Sequence, residues 1–81
     1  MKAGLSGGQI AIGGTATTDT LILRSTSGVG ATGADIIFQT GNNGATEAMR
    51  ILNSGKVGIG TATPASKLEV LNATGGNSDL L

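Results

Sequence analysis

Large apolar residues in this chain come in pairs separated by one position: Ile10/Ile12, Leu21/Leu23, Ile36/Phe38, Met49/Ile51, Val57/Ile59 and Leu68/Val70. A spacing of two sets both members on one face of a strand, and no stretch carries the three-and-four spacing of an amphipathic helix. Gly, Ser, Thr and Asn cluster between the pairs, which is turn chemistry. Six strands of four or five residues are predicted, and with them an all-β fold.

Turn residues fix two boundaries. Gly41-Asn42-Asn43-Gly44 tolerates positive φ, so Ile36–Thr40 and Glu47–Leu52 are expected to form a hairpin, within about 35–52, with a loop of about Gly41 to Thr46. Pro64 has no backbone N–H to give to a ladder, so the strand at Lys56–Gly60 should end before it.

Strands this short carry little apolar area. The chain has 81 residues, 15 glycines and one aromatic side chain, Phe38, and ten of its apolar residues are alanine. A chain of this size hides only about 60% of its unfolded surface on folding. Glycine also loses more backbone freedom on ordering than any other residue. A compact monomer with a thick core of its own is not expected. The whole chain, 1–81, reads as one fibrous repeat region.

The repeat itself spans 47 residues. Gln9-Ile10-Ala11-Ile12-Gly13 lies on Lys56-Val57-Gly58-Ile59-Gly60, and Leu21-Ile22-Leu23 then falls on Leu68-Glu69-Val70 without a gap. Gly28 matches Gly75, so residues 9–28 correspond to 56–75, and Asp79-Leu80-Leu81 resembles Asp35-Ile36-Ile37 after a three-residue shift. Repeats of this length bury their apolar edges by stacking on neighbours. Several chains wound about one axis would pool their thin apolar stripes and close their open strand edges. Small residues between pair members, Ala11 and Gly58, would allow close backbone approach. A single-chain solenoid is the alternative, although such coils usually have a shorter and stricter period.

Residues Glu47-Ala48-Met49-Arg50-Ile51, Ser54-Gly55-Lys56-Val57-Gly58-Ile59-Gly60-Thr61, Pro64 and Lys67-Leu68-Glu69-Val70 resemble a signature of bacteriophage tail fibres. The likeness covers about residues 35–71. It implies a parallel homotrimer of interwoven strands, a triple β-helix or β-prism-like fibre, in the virion. In that family such segments lie in the slender distal fibre, often ahead of an intramolecular chaperone domain. The resemblance implies a structural role in host attachment, with a host receptor reached through a tip that the chain does not itself present. With one aromatic, the chain fits a shaft or connector better than an adhesive tip. A bacterial trimeric adhesin stalk and a monomeric, ice-binding-like β-solenoid are the alternatives.

Chemistry has little material here. Five basic residues balance five acidic ones without a run of either sign, which argues against nucleic acid and against a polybasic membrane contact. Residues 1–10 lack the apolar run of a secretory leader, and nowhere do eighteen apolar residues follow one another, so membrane insertion is not expected. There is no His, Cys, Tyr or Trp, and Asp19, Asp35, Glu47, Glu69 and Asp79 stand singly. No catalytic, cofactor-binding or metal-binding residue is assigned, and the chain is not expected to be an enzyme. Gly28-Val29-Gly30-Ala31-Thr32-Gly33 spells a dinucleotide fingerprint, but the expected strand before it and helix after it are missing from the pattern, so it reads as a loop. Thr15-Ala16-Thr17 and Thr61-Ala62-Thr63 are ice-facing triplets in type, yet two of them make no ladder. A trimer axis gathering three copies of Asp19 or Asp35 around a cation has no advantage over a solvated turn. Glu47 with Arg50, and Arg24 with an acid of a neighbouring chain, are expected as surface ion pairs. Asn72-Ala73-Thr74 is a glycosylation sequon, relevant only to a chain secreted by a eukaryote.

Overall fold

The computed structural model describes residue 4 and residues 6–72. The chain is all-β. Strands β1 (Ile36–Thr40), β2 (Thr46–Ile51), β3 (Val57–Ile59) and β4 (Leu68–Val70) form one sheet in the order β1-β2-β3-β4, with a 3-10 turn at Asn42–Gly44. The first two pairings are antiparallel and the third is parallel.

The β1–β2 hairpin sits where the turn residues place it. Gly41, Asn43 and Gly44 take positive φ values of 84°, 54° and 73°, and Ala45 N–H closes the turn on the Asn42 carbonyl at 3.1 Å. Pairing runs Phe38↔Met49 and then Gln39↔Glu47, which leaves Ala48 as a bulge residue. Its carbonyl accepts the Gly60 N–H instead, at 3.2 Å. The tight β2–β3 turn is closed by Leu52 N–H on Lys56 O and Gly55 N–H on Leu52 O, both at 2.8 Å, with Gly55 at φ 94°.

Strand β3 returns to its parallel neighbour β4 through residues 60–67 alone. A parallel connection is commonly a dozen residues or more. This short one is possible because its loop folds directly over Gly58. A Cβ at Gly58 would collide with the Thr61 carbonyl oxygen and would stand 3.2 Å from Pro64 Cδ. Gly58 and Pro64 are accordingly the two buried residues among those described. The Ala65 N–H donates to Glu69 Oε1 at 2.9 Å, tying the loop to β4. Pro64 lies in this loop, outside every ladder.

The two N-terminal strands expected at Ile10/Ile12 and Leu21/Leu23 do not form: residues 6–35 contain turns and no ladder. The repeat shows why. Ala11 stands where Gly58 stands, Thr17 where Pro64 stands, and Ile22 where Glu69 stands. The N-terminal unit therefore has a Cβ where the loop must cross, no proline to fill that crossing, and no carboxylate to hold the loop. Its connection turns differently, with Asp19 Oδ2 accepting the Ala16 N–H at 2.8 Å and Gly13 packed against the Thr20–Leu21 backbone. The matches at Gly75 and Asp79–Leu81 lie outside the described residues.

No large apolar side chain is fully buried among the described residues. The sheet makes one apolar face, and among the described residues Phe38, Ile59 and Leu68 remain exposed on it.

Candidate assembly face

The strand registers place all four C-terminal pairs on one side of the sheet. Ile36, Ile51, Val57 and Leu68 align across the strands as one row, and Phe38, Met49, Ile59 and Val70 as the next. A one-residue slip in any strand would have moved its pair to the other face. Ile36, Met49, Ile51, Val57 and Val70 are half-buried, while Phe38, Ile59 and Leu68 remain 41%, 39% and 47% exposed. Farther up the chain Ile10 and Ile12 are 84% and 72% exposed. Contiguous apolar area of this kind marks an interaction surface.

The opposite side carries the row Ile37, Arg50, Gly58 and Glu69. Here Arg50 is fixed by two carboxylates. Its Nε and Nη2 donate to Glu47 Oε2 and Oε1 at 2.8 and 2.7 Å, and its Nη1 donates to Asp35 Oδ2 at 2.7 Å. Asp35 Oδ1 also accepts the Asn53 N–H at 2.9 Å, so this side chain, only 6% exposed, pins the segment before β1 to β2 and to the β2–β3 turn. The hydrogen bonds from Arg50 hold the Glu47 carboxyl below its ordinary value, and the same bonds hold the Arg50 proton more firmly still. The Glu47–Arg50 pair was legible from the sequence. Recruitment of Asp35 was not, since fifteen residues separate it from Arg50 and no local spacing signals it. Both Asp35 oxygens are engaged in this cluster, and among the described residues no group of three or more His, Cys, Asp or Glu side chains is arranged to hold a metal.

The remaining motifs resolve as loops. In Gly28–Gly33 the Gly28 N–H bonds to Thr26 Oγ1 at 3.0 Å, the Ala34 N–H closes a turn on Ala31 O, and the next element is β1. No helix N-terminus follows, so the phosphate-cradling geometry is absent from these residues. Thr15–Thr17 lies in the turn capped by Asp19, and Thr63 N–H bonds to Thr61 Oγ1 at 3.1 Å in the β3–β4 loop. Neither triplet lies on a strand. A groove of about 290 Å³ opens between the 24–34 loop and the ends of β1 and β2, lined by Arg24, Ser25, Gly30, Ile36, Ile51 and Asn53 among others. No helix among the described residues is long and apolar enough to cross a membrane.

No protein-family model, curated protein or solved structure matches the chain.

Proposed function

We propose that the chain is a shaft or connecting segment of a bacteriophage tail fibre, in which three parallel copies turn their apolar faces inward about a common axis. Its function on this reading is mechanical: it holds a receptor-binding tip away from the virion and sets the reach of the fibre. No residue acts catalytically and no cofactor is needed. The observation that carries the reading is the double row from Ile36–Phe38 to Leu68–Val70, in which Phe38, Ile59 and Leu68 stay exposed, with no large apolar side chain fully buried among the described residues. The residues of the tail-fibre resemblance are also the ones that build β2, β3, β4 and the loop over Gly58.

A three-fold arrangement suits the sheet. Among the described residues no strand pairs with the outer edge of β1 or β4, and a cyclic assembly would close edges and face together. One observation favours the solenoid reading: the parallel return from β3 to β4 in eleven residues is the local geometry of a coiled single chain. Light scattering on a sizing column separates the two. Three times the 7.8 kDa chain, about 23 kDa, supports the fibre; a folded species at the single-chain mass overturns it in favour of the solenoid.

A further inference from the structure

We infer that the groove under the 24–34 loop binds a small organic monocarboxylate, with Arg24 and Asn53 taking the acid group and Ile36 and Ile51 the apolar body. The inference goes beyond the mechanical reading and does not depend on it, because one chain supplies every wall of the groove.

The walls are held in place without a ligand. Ser25 Oγ donates to the Ala34 carbonyl at 3.0 Å and the Ala34 N–H donates to the Ala31 carbonyl at 2.9 Å, which ties the ends of the loop together. Asn53 is fixed from two sides. Its N–H is held by Asp35, itself gripped by Arg50, and its carboxamide lies so close to Gly30 that a side chain at that position would collide with Oδ1. The space left between loop and strand ends is about 290 Å³, at the lower end of the ~300–1,000 Å³ of small-molecule sites, and it suits a small acid.

Charge decides what the groove takes. Arg50 engages both Asp35 and Glu47, whereas Arg24 makes no hydrogen bond or ion pair among the described residues. Arg24 is also the one charged residue in the lining, and no acid stands there to neutralise it. Two further donors accompany it. The Asn53 carboxamide nitrogen has no acceptor among the described residues, and Thr26 Oγ1 accepts the Gly28 N–H at 3.0 Å, which leaves its hydroxyl proton to donate. A guanidinium with an amide and a hydroxyl donor is the chemistry that recognises an oxyanion. One positive charge matches a monoanion, while a dianion such as phosphate would keep an uncompensated charge against Ile36 and Ile51.

The repeat does not itself call for these groups. Arg24 falls on Leu71 and Thr26 on Ala73, so the other unit carries an apolar and a small residue where this one carries a charge and a hydroxyl. An unpaired arginine at such a position contributes nothing visible to the fold, and a ligand gives it a use.

The test is titration of the whole chain with cyclohexanecarboxylate, followed by amide resonances, with the mass recorded in parallel. Saturable shifts at Gly28, Gly30 and Asn53 are expected. Arg24→Gln should weaken binding roughly tenfold or more and Asn53→Ala about threefold to tenfold, while Lys56→Gln should leave it unchanged. Because Arg24 holds no partner in the fold, its variant should keep the β1–β2 resonances of the parent. Equal affinity for the neutral cyclohexanecarboxamide overturns recognition of the acid group, and equal or tighter binding of inorganic phosphate overturns the monocarboxylate as the ligand class. Unchanged affinity in Arg24→Gln, or shifts confined to Lys56 and Lys67, overturns the site. A monomer that binds the acid defeats the three-copy reading alone, and a trimer that does not bind it defeats this site alone.

Discussion

Replacing Ile59 with aspartate tests the proposed shared core at its centre. Ile59 lies on β3, in the row with Phe38, Met49 and Val70, and keeps 39% of its surface in the single chain. Full burial of an isoleucine is worth about 1.5–3 kcal/mol, so covering what remains contributes about 0.6–1.2 kcal/mol per copy, or roughly 2–4 kcal/mol across three. Aspartate forfeits that contribution and adds several kcal/mol per copy for a carboxylate taken out of water without a partner. Three such charges near one axis bring the total to the order of 10 kcal/mol, comparable with the whole net stability of a small domain. Assembly should be abolished, with the mass falling to that of one chain. The matched control is Ile37→Asp, at a side chain 41% exposed in the single chain but standing on the opposite face, in the row with Arg50. It should leave the mass unchanged. Leu68→Asp repeats the disruption on an edge strand, as Ile37 is, so strand position cannot account for the contrast. A soluble oligomer from Ile59→Asp, or equal damage from Ile37→Asp, would refute the assignment of this face to the interior.

Three further outcomes follow from local geometry. Gly58→Ala should cost about 1–3 kcal/mol, measured by chemical denaturation, because the new methyl meets the Thr61 carbonyl and Pro64 Cδ in a loop with no room to retreat; a neutral effect would mean that the 60–67 crossing is not fixed. The folded-state pKa of Glu47 is depressed by Arg50, so its contribution to stability is fully present above its ordinary value near 4.5 and is lost as pH falls through the lower folded value. Thermal unfolding followed below pH 4.5 should show this loss in the parent and not in Glu47→Gln, and identical acid profiles would remove Glu47 from the account. Ala11→Gly combined with Thr17→Pro should give the N-terminal unit the β3–β4 crossing, pairing Ile10 with Leu21 and Ile12 with Leu23. Slowed amide exchange at residues 21–23 would report it, and unchanged exchange would show that the crossing needs more than these two residues.

The sequence and the fold agree where the signal is local. Pairs spaced by two, the Gly41–Gly44 turn and the proline stop are each properties of a few consecutive residues; they place β1 to β3 within one residue of the observed bounds, and the pair Leu68/Val70 marks β4. Disagreement arises where pattern is necessary but insufficient. Ile10/Ile12 and Leu21/Leu23 have the same spacing as Val57/Ile59 and Leu68/Val70, yet lack the glycine, proline and glutamate that let a short loop return to a parallel strand. The Asp35–Arg50 pair and the Arg24–Asn53 groove were equally out of reach, because each joins residues brought close only by folding.

These same differences bear on the proposed fibre reading. A strictly repeating chain would bury its apolar rows equally well in any register, and slippage by a unit would cost nothing. Here the two units share their apolar residues and differ in Gly58, Pro64, Glu69 and Arg24. On that reading the shared residues supply the non-directional attraction between copies, which is proportional to area and indifferent to register. The crossing loop would supply direction, since only one of the two units has the Gly58 and Pro64 on which it is built, and a slipped neighbour would meet a unit without it. Attraction and register would then reside in different residues of the same 47-residue period. A variant with Gly58→Ala and Pro64→Thr, the residue types of the N-terminal unit, should therefore keep its capacity to associate while losing its single mass, spreading into slipped and higher species on the sizing column. A sharp trimer from that variant would place the register elsewhere than in the 60–67 crossing.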